Sequence, residues 1–404
     1  MSGLLPVSEA LERIVASVTQ PTETECISIN LAVDRFLSEP LIASRHQPPF
    51  PASAMDGYAV RAADLVVGQP LRLAGESAAG RGYHHALHPG ETIRIFTGAP
   101  VPEGADTILI QENARAEGEA IFPMQTEQNG RFVRPAGHDF TIGQTFFERG
   151  YRLRAKDMAL AASLGSATAH VRRRPRVAVL ATGDELVNPG ETPGPDQIIA
   201  ANHLSILALA EKAGAESRFL GIAPDNLAAL AEAISAARRW KADILVTMGG
   251  ASVGDHDLVQ EALHDAGMAL SFWRIAMRPG KPLMFGALGD MRVLGLPGNP
   301  ASSVVCAELF LKPLIAAFLG VPDAARNRSE TGRLGKALPA NDQRQDYLRA
   351  TLAQGDDGVP VLTPLPQQDS SLTRVLAEAE ALVIRDPFAA AAQAGDLCRF
   401  MRMD

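Results

Sequence analysis

Between Arg176 and Leu296 the chain repeats one grammar: a short unbroken apolar run, a polar loop, then a helical stretch. RVAVLATG precedes a helix expected from His203 to Gly214, SRFLGIA one from Leu227 to Trp240, and ADILVTMGG one from Leu258 to Gly267. A strand that is apolar at consecutive positions must be covered on both faces. A helix between two such strands returns the chain to the same end, so the pattern specifies a parallel sheet between helical layers. Leu227, Leu230, Ala231 and Ile234 form the expected core stripe of the second helix. A hairpin-like run, LMFGALGDMRVLGLPG, and a long helix from Ala301 to Leu319 close the unit. Sheets of this kind bind ligands outside the carboxyl ends of their strands.

The flanks read differently. After Ser8, a helix cap by type, Leu11, Ile14, Val15 and Val18 recur at helical spacing. From Gln47 the chain turns to short β-like runs between Gly and Pro: DGYAV, PLRLAG, TIRIFTG, DTILIQEN, AIFPM and GRFVRP. The stretch from Thr141 to Val171, with the alanine-rich DMALAASLG, resembles the opening segment more than what precedes it, so the β unit reads as an insertion. Arg172, Arg173 and Arg174 ahead of Pro175 read as a solvated basic hinge. Beyond Val321, PDAARNRSETG reads as a linker before a small β unit made of QDYLRATL, VPVLTPL, EALVIRD and DLCRFMRM. The expected architecture is multidomain α/β plus β: a mixed domain I (1–46 plus 140–174), an inserted β domain II (47–139), a three-layer α/β domain III with a parallel-rich sheet (175–322) and a C-terminal β-barrel-like domain IV (323–404).

Composition excludes some functions. With 38 Lys+Arg against 46 Asp+Glu, a net charge of −8, the chain is no polyanion binder on bulk charge, and 15 Phe, 4 Tyr and 2 Trp are too few for a base-stacking platform. Cys26, Cys306 and Cys398 are odd in number and far apart, so they suggest neither a disulfide framework nor a zinc set. The first residues lack a basic segment ahead of an apolar core, and the apolar stretch from Val304 to Leu319 is broken by Glu308, Lys312 and Pro313. The expectation is a cytoplasmic protein with neither a nucleic-acid nor a membrane partner.

The chemistry gathers where strands end. TGDELVNPG puts Asp184 and Glu185 after the first strand, APDN offers Asp225 after the second, and GGASVGDHD offers Ser252, Asp255 and Asp257 after the third. Each acid alone suits a helix cap. Three acidic loops on one edge repel one another unless a cation or a shared proton intervenes, and hard oxygen ligands suit Mg²⁺ beside a phosphate. The glycines of GGASVGDHD admit an anion to backbone N–H groups, while P-loop and dinucleotide glycine spacings are absent. Arg274, Arg278 and Lys281 in WRIAMRPGKP and Gly298, Asn299 and Ser302 in GLPGNPASS add a basic rim and a helix start suited to tetrahedral oxyanions. A second polar cluster, Thr97, Glu103, Arg134 and Asp139 with the loop around Met55, lies in the β unit and reaches that edge only through interdomain or intersubunit docking.

Six motifs in order, SAMDGYAV, FTGAPVPEGAD, TGDEL, GGASVGDHD, MRPGKP and GLPGNPAS, resemble those of the molybdopterin molybdenumtransferase (MoeA) family, related to the larger domain of gephyrin. The resemblance covers essentially the whole chain. It implies four domains, the third shared with the MogA-type adenylyltransferases, and an elongated homodimer whose cleft joins domain III of one subunit to domain II of the other. It implies Mg²⁺-dependent hydrolysis of adenylylated molybdopterin with molybdate insertion and AMP release, the final step of molybdenum cofactor biosynthesis. A molybdopterin adenylyltransferase and downstream cofactor-maturation proteins are the implied partners.

By motif, the catalytic acids match Asp56, Glu185, Asp225 and Asp257, the last three also as metal ligands. Substrate- or oxyanion-binding positions match Thr97, Arg134, Asp139, Ser252, Arg274, Arg278, Lys281, Asn299, Ser302, Arg349 and Ser370. Departures are Arg274 and Arg278 where the family commonly has lysine, a single Arg134 where it has several arginines, and DQIIAAN where many members have GQIYDTN. These allow, beside the transferase, a divergent paralogue that carries molybdopterin or cofactor, or acts as a scaffold, without turnover; the third domain alone would also suit a pterin adenylyltransferase.

Overall fold

The computed structural model describes residues 4–249, 258–326 and 329–403. Its α/β unit is a six-stranded sheet in the order Glu216–Ala223, Arg176–Thr182, Ile244–Met248, Met291–Leu296, Met284–Leu288, Ala269–Trp273. The first four strands are parallel. Met284–Leu288 runs against them, and Ala269–Trp273, antiparallel to that strand, points the same way as the four. The carboxyl end of Ala269–Trp273 therefore shares an edge with those of the parallel strands.

Successive strand residues feed opposite faces, which is why consecutive apolar positions need two helical layers. Val177, Val179, Val246 and Leu294 pack with Ile206 and Ala210 of helix Asn202–Lys212 and with Val305, Leu314 and Ile315. Ala178, Leu180, Leu245 and Val293 pack with helices Leu227–Arg239 and Leu258–Asp265. The expected stripe of Leu227–Arg239 is corrected: Leu230, Ile234 and Ala237 are buried, whereas Leu227 and Ala231 are exposed. The i, i+4, i+7 row faces the sheet and the other two residues fall on the flank. The run Pro300–Phe318 is long and apolar enough to cross a membrane, yet 83% of its most apolar window is buried in the protein. Its middle, Ala307–Leu311, widens into a π turn; Pro313 follows closely and has no N–H to donate back to that turn.

Helix Val7–Ala16 starts after Pro6 rather than at a Ser8 cap, since a proline preceding the helix costs no backbone donor. The helix buries Val7, Ala10 and Ile14 in the same core as Leu314, Ile315 and Phe318. Strand Thr24–Ser28 pairs with Thr168–Arg172, and Leu41–Ile42 pairs with Thr145–Phe147. These pairs enclose a core of Ile29, Leu37, Phe140, Leu153 and Val171. Between the flanks lies a six-stranded sheet ordered Thr107–Ile110, Gly57–Val60, Glu91–Ile95, Leu71–Ser77, Ala120–Pro123, Ala114–Glu117. The arginine triplet is not a solvated hinge. Arg173 donates to Asp243 at 2.9 and 3.0 Å and to Glu23 at 2.7 Å, and Arg172 donates to the Thr22 carbonyl at 2.9 Å.

The C-terminal unit closes on itself. Gln345–Gln354 pairs on one side with Pro360–Pro364 and on the other with Ala381–Arg385, and Glu330–Leu334 and Leu397–Arg402 complete a five-stranded barrel. Glu330–Leu334 begins inside the expected linker, where its partner strands override a polar local sequence. Met277–Arg278 adds in parallel to the start of Gln345–Gln354, tying the MRPGKP loop of the α/β unit to the barrel.

Candidate functional site

The switch in strand order falls between Arg176–Thr182 and Ile244–Met248, the position at which open α/β sheets form a ligand crevice. Glycine backbone lines it. Gly249, at φ +94°, comes so close to the first strand that a Cβ there would lie 2.7 Å from the Thr182 carbonyl oxygen. A Cβ on Gly298 would lie 3.7 Å from Gly249 Cα. The Thr182 hydroxyl donates to the Met248 carbonyl at 3.3 Å, and Asn202 Nδ2 donates to the Gly298 carbonyl at 2.6 Å. The Asp184 carboxylate accepts the Asp225 backbone N–H at 3.1 Å, joining the first and second acidic loops. At Gly183, φ +140°, the Glu185 carboxylate folds back over the position that a Cβ would fill.

Ser252, Asp255 and Asp257 lie outside the described residues. Among the described residues no group of three or more His, Cys, Asp or Glu side chains is placed to hold a metal ion. Glu185 and Asp225 are hard oxygen donors at neighbouring strand ends, and the Gly183 cradle leaves the Glu185 carboxylate room. That donor chemistry fits Mg²⁺.

The basic rim is unequal. Arg274 and Lys281 have no side-chain hydrogen bond or ion pair among the described residues, and Arg274 Cζ lies 4.9 Å from the Trp273 ring centre. Arg278, expected among the oxyanion-binding residues, is held by the barrel. Its Nε donates to Asp346 at 2.9 Å, its Nη2 also bonds Asp346, and its Nη1 lies 3.4 Å from Asp342. The two carboxylates hold its pKa up.

Further along the barrel strand, Arg349 is 1% exposed. Its Nη2 donates to the Asp369 carbonyl at 3.3 Å, its Nε has no partner among the described residues, and burial pushes its pKa down. The next residue, Ser370, accepts from Asn299 Nδ2 at 3.0 Å on its hydroxyl and from the Ala301 N–H at 2.9 Å on its carbonyl. Asn299 precedes helix Pro300–Cys306 but spends its amide on the barrel instead of capping, and Ser302 is buried in the first turn.

The second cluster is compact. Asp56 Oδ1 accepts both the backbone N–H and the hydroxyl of Thr97, and these bonds, with help from the Arg94 charge, hold its carboxyl below the usual range. Gly57, the residue after Asp56, opens the strand Gly57–Val60 and permits close approach of its partner: a Cβ there would overlap the Leu109 carbonyl and lie 2.9 Å from Ile110 Cα. Arg134 and Asp139 line a cleft of about 660 Å³ with Gly98, Phe50, Arg45 and His138. No hydrogen bond or ion pair among the described residues joins this cluster to the sheet edge. Sequence reasoning missed Arg45, His138, Thr182, Trp273 and Asp346; all but Thr182 and Trp273 sit outside the motifs, and only the fold brings them in.

Glycine backbone packed at the switch point of an open α/β sheet, with acids and two cations unpaired among the described residues on the same edge and a closed barrel tied to it, defines a multidomain α/β protein. Family models match along the chain: "MoeA N-terminal region (domain I and II)" over residues 5–165, "Probable molybdopterin binding domain" over 178–317 and "MoeA C-terminal region (domain IV)" over 331–402. The chain belongs to the MoeA family of molybdopterin molybdenumtransferases. It is 37% identical to the protein of that name from Haemophilus influenzae over 319 residues, 78% of each chain. It is 33% identical to the Bacillus subtilis protein of that name over 389 residues, 94% of this chain and 90% of the relative. The crystal structure of the molybdopterin biosynthesis MoeA protein from Pyrococcus horikosii superposes with a TM-score of 0.85 at 27% identity, covering 99% of both chains.

Proposed function

We propose that the protein inserts molybdate into adenylylated molybdopterin, with Mg²⁺-dependent hydrolysis of the adenylyl anhydride and release of AMP. The observation that carries this reading is the shared carboxyl edge, where the Asp184, Glu185 and Asp225 loops stand beside close-packed glycine backbone and Arg274 follows the strand at the other side of the same sheet. Glu185, Asp225 and Asp257 would hold Mg²⁺, which when bound neutralises charge on the phosphoanhydride. Arg274, Lys281 and buried Arg349 supply positive charge for an oxyanion, with Ser252, Asn299, Ser302 and Ser370 as polar neighbours. Arg278 acts through the barrel, fixing the turn that carries Lys281.

Asp56, whose carboxyl stays ionised at neutral pH, accepts rather than donates protons or hydrogen bonds. In this reading Asp56, Thr97, Arg134 and Asp139 face the sheet edge of a second subunit, in a cytoplasmic homodimer paired through domain I (1–46 plus 140–174). Domains II (47–139), III (175–322) and IV (323–404) complete the protomer, and a molybdopterin adenylyltransferase supplies the substrate.

Purified protein incubated with adenylylated molybdopterin, Mg²⁺ and molybdate is expected to release AMP and yield active cofactor. Bound pterin without AMP release would replace this reading with the carrier. Asp257→Asn removes one charge at nearly constant volume; wild-type turnover in that variant overturns the metal assignment.

A further inference from the structure

Trp273 ends the strand Ala269–Trp273, and Arg274 follows it at the carboxyl edge. Arg274 Nε and Trp273 Nε1 are both buried N–H donors without a partner among the described residues. Buried polar groups ordinarily have one, and these two can only donate, so what they lack is an acceptor. Beside a guanidinium, the favoured acceptor is an anion. The arginine is also held in place. Its backbone adopts φ +86°, a left-handed conformation that a residue with a Cβ keeps only where its surroundings enforce it, and its N–H is fixed on the Leu283 carbonyl at 3.0 Å. Among the described residues the Arg274 guanidinium makes no hydrogen bond or ion pair and packs on the indole ring, its Cζ 4.9 Å from the ring centre.

We propose that Trp273 is a positioning residue: its ring face holds the Arg274 guanidinium so that the N–H edge is presented to a tetrahedral oxyanion at the carboxyl edge of the sheet. The identity of that oxyanion as molybdate rests on the proposed transferase reaction; the oxyanion site itself does not.

Trp240 is the other tryptophan, so Trp240→Phe leaves Trp273 as the sole reporter. In that background, sodium molybdate is expected to change Trp273 emission saturably, sodium chloride at matched ionic strength to leave it unchanged, and Arg274→Ala to abolish the response. Inorganic phosphate in a parallel titration separates the sources: an equal response assigns the site to tetrahedral oxyanions in general, a molybdate-only response to the metal oxyanion. In turnover, Trp273→Leu is expected to raise the KM for molybdate about tenfold with kcat unchanged. Trp273→Phe, which keeps an aromatic face, is expected to restore most of that loss.

An absent emission response, equal damage from Leu and Phe, or a loss confined to kcat overturns the proposal. If Trp273→Leu fails to fold, the emission titration and the Phe variant still decide. An emission response in protein that releases no AMP removes the transferase reading and leaves the site; AMP release without the response does the reverse.

Discussion

One oxygen of Asp56 accepts two hydrogen bonds from a single residue, the backbone N–H and the hydroxyl of Thr97, each at 2.7 Å. Both bonds favour the ionised form, and the backbone one contributes most to the lowered pKa. Thr97→Val deletes only the hydroxyl. The Asp56 pKa is expected to rise toward its ordinary value of 3.8 while staying below it, as read by carboxyl NMR titration. Because the folded pKa is depressed, this pair's contribution to stability is full above the unfolded value and is lost as pH falls through the folded one. Asp56→Asn is expected to lower AMP release on the order of 100-fold without unfolding the chain.

Arg278→Ala leaves Asp346, which is 4% exposed, without its main partner. A buried carboxylate stripped of its bonds costs about 2 kcal/mol, discounted here because the guanidinium is half exposed. Urea denaturation is expected to register that loss, and Arg278→Lys, which cannot make the two-pronged contact, is expected to recover only part of it.

Gly57→Ala forces a Cβ onto the Leu109 carbonyl, a backbone atom that cannot rotate away. A destabilisation of about 3 kcal/mol is expected in thermal or chemical melts, because the clash falls on the pairing of Gly57–Val60 with Thr107–Ile110.

Cys26 is exposed while Cys306 and Cys398 are buried, and burial pushes both buried thiols up, Cys306 the more strongly. An aromatic disulfide reagent at pH 8 is expected to titrate one thiol quickly in native protein and all 3 cysteines after denaturation.

Asn299 and Ser370 belong to different units and share a 3.0 Å hydrogen bond. A double-mutant cycle with Asn299→Ala and Ser370→Ala is expected to give a coupling of about 1 kcal/mol in stability. Zero coupling would mean that the barrel does not support the GLPGNP loop.

The sequence made the strands of the α/β unit and its helices legible because their signals are local: unbroken apolar runs and helical spacing. It also marked Asp184, Glu185, Asp225, Arg274 and Lys281, since each follows a strand end or a turn. What stayed hidden depends on partners distant along the chain. Arg278 reads as a free cation until the fold brings Asp346 against it from 68 residues away. The arginine triplet reads as solvated until Asp243 and Glu23 close on Arg173. Leu227 and Ala231 satisfy a helical period yet face solvent, because the period fixes a row of positions and the sheet selects which row it covers. Glu330–Leu334 has linker composition and becomes a strand only because Leu397–Arg402 and Pro360–Pro364 flank it.

The strand Gln345–Gln354 does more than close its barrel. Near its start, Asp346 grips the turn that carries Lys281; three residues on, Arg349 reaches the Asp369 carbonyl, next to the serine that holds Asn299. A chain ending at Val321 would keep every strand of the α/β sheet but lose both grips on its ligand edge. Such a truncated protein is expected to fold its sheet and fail at the proposed chemistry, because the C-terminal barrel holds the loops that carry Lys281 and Asn299.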